Sequence, residues 1–181
     1  MLIEVERKFL VRSDGWRRDC AGTKAVRLRQ GYLTKGDVTV RVRICGLGES
    51  ASLAVKGRRQ HASRLEFEFP IPVAEAEELL RHLAPRSLLE KARHVLSYRG
   101  HLWNVDEFRG PLEGIVLAEI ELTEPVDRFD VPDWIGSEVT GDEHYSNSVL
   151  AEAGPLLEET QLVEYGKTST LPINSLAQIG I

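Results

Sequence analysis

The chain has 181 residues, 42% hydrophobic and 28% charged, the balance of an ordinary globular protein of one domain. No apolar run approaches the roughly 18 residues that a membrane helix needs, and the apolar content excludes a disordered chain. With 23 basic against 28 acidic residues the formal charge is −5, a poor basis for holding duplex nucleic acid through a general surface field. Any anion must therefore be held at a local basic site.

In chain order, Ile3 to Glu6 alternates apolar and acidic residues and reads as a strand. Met1 to Val11 carries charges inside its apolar run and has no cleavage-site pattern, so it is not a signal peptide, and a cytoplasmic location is the expectation. Further strands are read at Val26–Leu33, Thr39–Ile44, Ser52–Lys56 and Leu65–Phe69, separated by glycine-containing turns. After Pro72, Val73 to Leu83 places Val73, Ala76, Leu79, Leu80 and Leu83 on one helical stripe, which predicts an amphipathic helix packed on a sheet. Lys91–Tyr98, Leu102–Phe108 and Glu119–Leu122 complete a count of about eight strands. A second helix opens at Ser146 to Ala151, with a break at Gly154-Pro155 and a resumption through Leu162. Residues 1–165 are expected to form one domain, and 166–181, which lack periodicity, a loose tail. Strands with few intervening helices predict an antiparallel α+β domain, because parallel units need a helix after nearly every strand.

The charges on these strands come in doublets of one sign. Glu4 and Glu6, Arg41 and Arg43, Glu66 and Glu68, Lys91 and Arg93, and Glu119 and Glu121 each lie two residues apart and so share a strand face. For any single strand the plain reading is a solvated polar face. Repeated like-sign doublets argue otherwise, since like neighbours cost stability unless opposite charges or bound ions compensate them. A sheet curled into a barrel with these faces inward would set acids against bases across a lumen, together with Lys8 and Lys56. Val40, Val42, Ile44, Phe67 and Phe69 would then point outward and need helices to cover them. Eight strands give a bore suited to a small ligand. Arg27 and Arg29 share a parity and are candidates for a lumen residue and a rim residue.

Two other patterns are discounted. Gly46-Leu47-Gly48-Glu49-Ser50-Ala51 fits a nucleotide fingerprint but leads into a strand rather than a helix, so it reads as a hairpin turn. Arg58 and Arg59 read as loop charges. Cys20 and Cys45 form no CxxC pair and have no nearby histidine pair, which argues against a disulfide framework or a zinc site.

Glu4-Val5-Glu6-Arg7-Lys8 is an ExExK signature, and with Arg29-Gln30-Gly31-Tyr32-Leu33 and the later doublets in order the sequence resembles the CYTH superfamily, the triphosphate tunnel metalloenzymes. The resemblance runs from residue 1 to about 155. It implies a closed eight-stranded antiparallel β-barrel with helices packed on the outside, binding linear triphosphates and hydrolysing or cyclising them with a divalent metal. In that frame Glu4, Glu6, Glu119 and Glu121 would be oxygen ligands for Mg²⁺ or Mn²⁺, which suits hard cations. Glu66 and Glu68 would supply a second metal position or orient the basic residues, and Asp106 is a candidate to join them. Lys8, Arg41, Arg43, Lys56, Lys91 and Arg93 would hold phosphate oxygens. Glu4, Lys8 and Glu119 are the candidates for catalysis, with Glu4 or Glu119 positioning the attacking water.

The first reading is metal-dependent hydrolysis of inorganic tripolyphosphate, extending to nucleoside triphosphates. Three alternatives stay open: a class IV adenylate cyclase, a thiamine triphosphatase, and a non-catalytic polyphosphate or nucleotide sensor. The expected partner is a small anionic triphosphate rather than duplex nucleic acid or a membrane, and a homodimer is left open.

Overall fold

The alternating segments pair into antiparallel ladders in the computed structural model, which describes residues 3–34, 36–124 and 127–153. The strands are β1 (Ile3–Val11), β2 (Val26–Thr34), β3 (Thr39–Cys45), β4 (Ser50–Lys56), β5 (Ser63–Ile71), β6 (Leu88–Tyr98), β7 (His101–Phe108), β8 (Val116–Glu121) and β9 (Ile135–Glu138). Their order is β5-β4-β3-β2-β6-β7-β8-β1-β9, and β1 also pairs with β5, so the first eight close into a barrel with β9 outside it.

Closure depends on how β1 divides its edges. One edge pairs with β8, from Glu6 opposite Glu121 to Leu10 opposite Leu117. The other is shared: Ile3, Glu4 and Val5 lie opposite Leu65, Arg64 and Ser63 of β5, and further along Phe9 and Val11 lie opposite Glu138 and Ile135 of β9. Thus β9, which the sequence pattern does not reveal, takes the half of the edge that β5 leaves unpaired and leaves no long open edge there.

Three α-helices accompany the barrel among the described residues: α1 (Trp16–Asp19), α2 (Val73–Leu83) and α3, which begins at residue 147 and runs to 153, the last residue described. Two apolar clusters cover the outside. Val5, Phe9, Trp103, Val105, Ala118 and Ile120 pack beneath Trp16 and Trp134. The second cluster sets Val42, Ile44 and Ala51 against Ala76 and Leu80 of α2 and the adjoining Ala84. Each fully buried aliphatic side chain of this kind stabilises by about 1.5–3 kcal/mol. Of the expected helix stripe, Ala76 and Leu80 are buried, whereas Leu83, the last residue of α2, is 60% exposed. The expectation that helices cover every outward apolar strand face holds for Val42 and Ile44 but not for Phe67 and Phe69, which stay 42% and 52% exposed among the described residues.

A third cluster lies inside the barrel. Leu10, Tyr32, Leu89, Phe108 and Leu117 continue the inward faces of their strands and pack with Leu112 and with Leu150 and Ala151 of α3. The lumen is therefore plugged by apolar side chains over part of its length and polar over the rest. The resumed helix through Leu162 and the tail 166–181 lie outside the described residues. No helix among the described residues is long and apolar enough to cross a membrane.

Docking of α2 depends on Gly31 of β2. A Cβ placed there would come within 2.8 Å of Ala84 Cβ and 2.8 Å of Leu80 Cδ2. Leu80 can rotate, but Ala84 moves only with the chain that ends α2. Gly31→Ala should therefore destabilise the fold by about 1–3 kcal/mol, the usual range for overpacking, as read by denaturant unfolding.

Candidate active site

Polar side chains on the inward strand faces line a cavity of about 970 Å³. From β1 come Glu4, Glu6 and Lys8; from β3, Arg41 and Arg43; from β4, Lys56; from β5, Arg64, Glu66 and Glu68; from β6, Arg93; and from β8, Glu119 and Glu121. Period-two geometry explains the set, since each strand presents every second residue to the lumen. Tyr32 of β2 lines the same space, with residues 139–149 folded over it.

That covering segment is tied to β1. Thr140 Oγ1 accepts the Lys8 backbone N–H at 3.0 Å, and Lys8 Nζ donates to the Tyr145 carbonyl at 3.2 Å. Arg7, pointing outward, pairs with Glu138. Asp142 caps the short turn that follows by accepting the His144 N–H at 3.0 Å.

Charges inside the cavity are paired across strands. Lys8 Nζ lies 3.1 Å from Glu119, and Arg93 bridges Glu119 at 2.6 Å and Asp106 at 2.7 Å. Lys56 contacts Glu66 at 2.8 Å and Glu4 at 3.0 Å, while Arg41 contacts Glu68 at 3.1 Å. Glu4 also accepts from Arg64 and lies 3.5 Å from Arg59, and Arg59 is 3.3 Å from Glu6. Glu121 is more exposed, at the edge of the cavity, opposite Glu6 in register.

The carboxylates respond to this setting in opposite directions. Burial pushes Glu119 up, but Lys8, Lys91 and Arg93 outweigh it and hold the carboxyl well below the usual range. Glu4 is likewise held low, because Lys56 and Arg64 overcome its burial. Glu6 is raised, first by burial and then by the charge of Glu119. Among the cations, burial followed by the nearby Arg41 and Arg93 pulls Arg43 down to about 10. Burial draws Lys91 down to about 8, against the pull of Asp106. Both remain largely cationic at neutral pH.

The structure brings most of the sequence-predicted residues to the cavity wall, but not Lys91, Asp106, Arg27 or Arg29. Lys91 does not line the cavity: it is fully buried beneath it, with Nζ 2.5 Å from Asp106 and 3.2 Å from Asn147 Oδ1, and above the Phe108 ring. Asp106 is just as buried and holds Lys91 and Arg93 together. Arg27 and Arg29 are neither lumen nor rim residues; they pair outside with Glu90 and with Glu77 of α2, and Leu28, Gln30 and Tyr32 take the inward parity of β2. Arg58 and Arg59 are loop residues as expected, but both line the cavity: Arg59 reaches Glu4 and Glu6, and Arg58, largely exposed, lies at its rim near Asp37. Arg64 was legible, because it shares the inward parity of Glu66 and Glu68; Gln30 was legible in the same way, from its parity with Tyr32.

Residues 2–152 match the CYTH domain. The chain belongs to the CYTH domain family. This CYTH domain is 45% identical over 150 residues to the inorganic triphosphatase of Acetivibrio thermocellus, an alignment covering 82% of this chain and 93% of the relative. It is 35% identical over 159 residues to the inorganic triphosphatase of Nitrosomonas europaea, covering 85% of this chain and all of the relative. A crystal structure of the inorganic triphosphatase NE1496 superposes with a TM-score of 0.59 at 33% identity, covering 84% of this chain and 96% of that one. A putative adenylate cyclase from Bacillus halodurans, 16% identical, shares the fold at a TM-score of 0.51, covering 97% of this chain and 98% of that one.

The opposite shifts of Glu6 and Glu119 give a stability test for the metal-free CYTH domain. A carboxyl raised in the folded state contributes stability at low pH that is lost as pH rises through its folded value; a depressed one contributes stability above the ordinary range that is lost as pH falls. At pH 7 in chelator, Glu6→Gln should therefore raise the melting temperature and Glu119→Gln should lower it. Each kcal/mol corresponds to about 2–4 °C in a protein of this size. Thermal melts from pH 2 to 8 should show the Glu119→Gln deficit constant above the ordinary carboxylate value of 4.5 and shrinking only as pH falls below it.

Proposed function

We propose that this CYTH domain hydrolyses inorganic tripolyphosphate with the help of a divalent cation, Mg²⁺ or Mn²⁺. The observation that carries the reading is the enclosed cavity, in which Lys8, Arg41, Arg43, Lys56 and Arg93 converge from four strands on a space also lined by carboxylates. Arg41 Nε adds to it: this atom is buried and finds no acceptor among the described residues, which suits an anion oxygen supplied by a ligand. Similarity to two inorganic triphosphatases over most of their length supports the same substrate class. The cavity lining includes Tyr32 and Tyr145 but otherwise few apolar side chains, a poor setting for a nucleobase and a suitable one for a polyanion.

The donor set fits a hard cation. Glu4, Glu6, Glu119 and Glu121 offer oxygen ligands; Glu6 is raised first by burial and then by the charge of Glu119, and a divalent ion among them would relieve that repulsion. Among the described residues no group of three acids, histidines or cysteines is already drawn together, since these carboxylates point at lysine and arginine partners. Binding therefore exchanges partners: cations released from glutamates take phosphate oxygens. The bound metal would neutralise charge on the triphosphate and favour attack by water.

The chain's own residues would do the rest. Arg41, Arg43 and Arg93 would grip phosphate oxygens through planar forks, while Lys8 and Lys56 act as point charges. Lys91 contributes from below, holding Asp106 and through it Arg93, so its role is to position rather than to touch substrate. A carboxylate of Glu4 or Glu119 would orient the water for in-line attack on a terminal phosphorus, and the guanidinium groups would stabilise charge on the leaving oxygens.

Incubation with tripolyphosphate, ATP and thiamine triphosphate, each with Mg²⁺ or Mn²⁺, tests the reading. Phosphate released mainly from tripolyphosphate is expected. Cyclic AMP with pyrophosphate would instead identify a cyclase, preference for thiamine triphosphate a thiamine triphosphatase, and tight binding without product a sensor. Lys8→Ala should lower kcat by about 10²–10³-fold, the usual loss when one stabilising charge donor is removed. Its melting curve must show a folded protein for that loss to count.

A further inference from the structure

Arg43 is set apart from the other cavity cations. Lys8, Arg41, Lys56, Arg59, Arg64 and Arg93 each lie within 4.0 Å of at least one carboxylate. Arg43 lines the same cavity yet has no such pair among the described residues. Its anchor is a neutral amide. Gln30 stands directly opposite it in the β2–β3 register, is fully buried, and its Oε1 accepts the Arg43 Nε–H at 2.9 Å.

Hydrogen-bond logic fixes the direction of this contact. A guanidinium can only donate, so the Gln30 atom facing Arg43 must be the carbonyl oxygen. The amide nitrogen then faces Tyr32, and Nε2 donates to the Tyr32 hydroxyl oxygen at 2.7 Å. With its oxygen occupied as acceptor, the Tyr32 hydroxyl keeps its own proton for donation, and burial pushes its pKa up so that the proton stays. One buried amide thus holds an arginine by Nε, leaving its two terminal nitrogens available, and turns a tyrosine hydroxyl into a donor. Tyr32 and Arg43 both line the cavity.

We propose that Gln30 is a positioning residue for triphosphate binding, one that orients Arg43 without neutralising it and sets Tyr32 as a hydrogen-bond donor to the same anion. The proposal rests on the triphosphatase reading above and deepens it. A carboxylate at this position would make the same contact with Arg43 but cancel the charge the anion needs. A buried group that merely filled space would serve equally well as a methionine. Gln30 itself touches no substrate; it acts through its two partners.

The test uses the full chain with inorganic tripolyphosphate, titrated calorimetrically in chelator and assayed by phosphate release with Mg²⁺. Gln30→Met, close in size but without the amide, should weaken binding and raise KM roughly tenfold, since a hydrogen bond to a charged group is worth about that much. Its kcat should change less than its KM. Gln30→Glu should weaken binding more than Gln30→Met although it can still pair with Arg43. In an Arg43→Ala background the further effect of Gln30→Met should shrink to whatever passes through Tyr32, and in an Arg43→Ala, Tyr32→Phe background it should vanish. Folded Gln30→Glu protein with wild-type affinity and KM would overturn the proposal while leaving the triphosphatase reading intact, as would effects of Gln30 and Arg43 substitutions that simply add. If Gln30→Glu fails to fold, Gln30→Met with unchanged KM overturns it equally. Wild-type protein that neither binds nor cleaves tripolyphosphate overturns both readings.

Discussion

Charges directed into a closed barrel must find opposite charges there, and the rest of this structure follows from that requirement. Removing one partner from a buried ion pair costs about 3–5 kcal/mol, so an acidic strand face is tolerable inside only against a basic one. The lumen meets the condition across strands, with Glu119 between Lys8 and Arg93, Asp106 between Lys91 and Arg93, and Glu4 between Lys56 and Arg64. The closing seam obeys the same rule, because Glu4 and Arg64 are register partners where β1 meets β5. A slip of one residue would turn an entire charged face outward and an apolar one inward, so the pairing also specifies the register.

The interior is graded as a result. At one level Leu89, Phe108 and Leu117 pack with Leu150 of α3 as an apolar plug. Against it lies a fully buried ion pair of Lys91 and Asp106, and Arg93 leads from that pair to the cavity wall. The cavity cations are thus held by partners that are themselves held, the arrangement that lets fixed charges act on a ligand with little reorganisation. Self-neutralisation also explains how so many ionised groups remain stable before a ligand arrives. In the proposed reaction a polyanion and a cation replace internal partners, so charge is exchanged rather than created.

Much of this was legible along the chain. The helix Val73–Leu83 is found with the bounds its stripe implies, and the Gly46–Gly48 turn joins β3 to β4 as expected. The inward parity of Glu4, Glu6, Arg41, Arg43, Glu66, Glu68, Lys91, Arg93, Glu119 and Glu121 follows from period two together with the cost of like charges side by side. What escaped has physical reasons. Short α1 and β9 depend on tertiary contacts, Trp16 within the outer cluster and Ile135 on the edge of β1, and carry too few residues for a periodic signal. Arg59 belongs to no strand, so parity says nothing about a side chain that curls back to Glu6. Arg27 and Arg29 misled because charge suggested the lumen, while Leu28, the apolar residue between them, is the one that points inward.

By itself the sequence determined the local and alternating order: which segments extend, which residues of each share a face, and that those faces carry charges in excess of what a solvated surface would segregate by sign. Those facts are compatible with a charged barrel interior, and the closed barrel itself is what the family resemblance implies. Tertiary structure alone decided the depth and partner of each charge. Lys91 and Arg93 have the same parity on one strand, yet one is sealed below the cavity by Phe108 and Asn147 and the other faces it. The difference lies in the plug to which α3 contributes, set by contacts between residues far apart in the chain. Parity gives the inward direction of Gln30, but its partner is decided only when β3 places Arg43 opposite it. Alternation tells which way a side chain points; only the closed fold tells what it meets there.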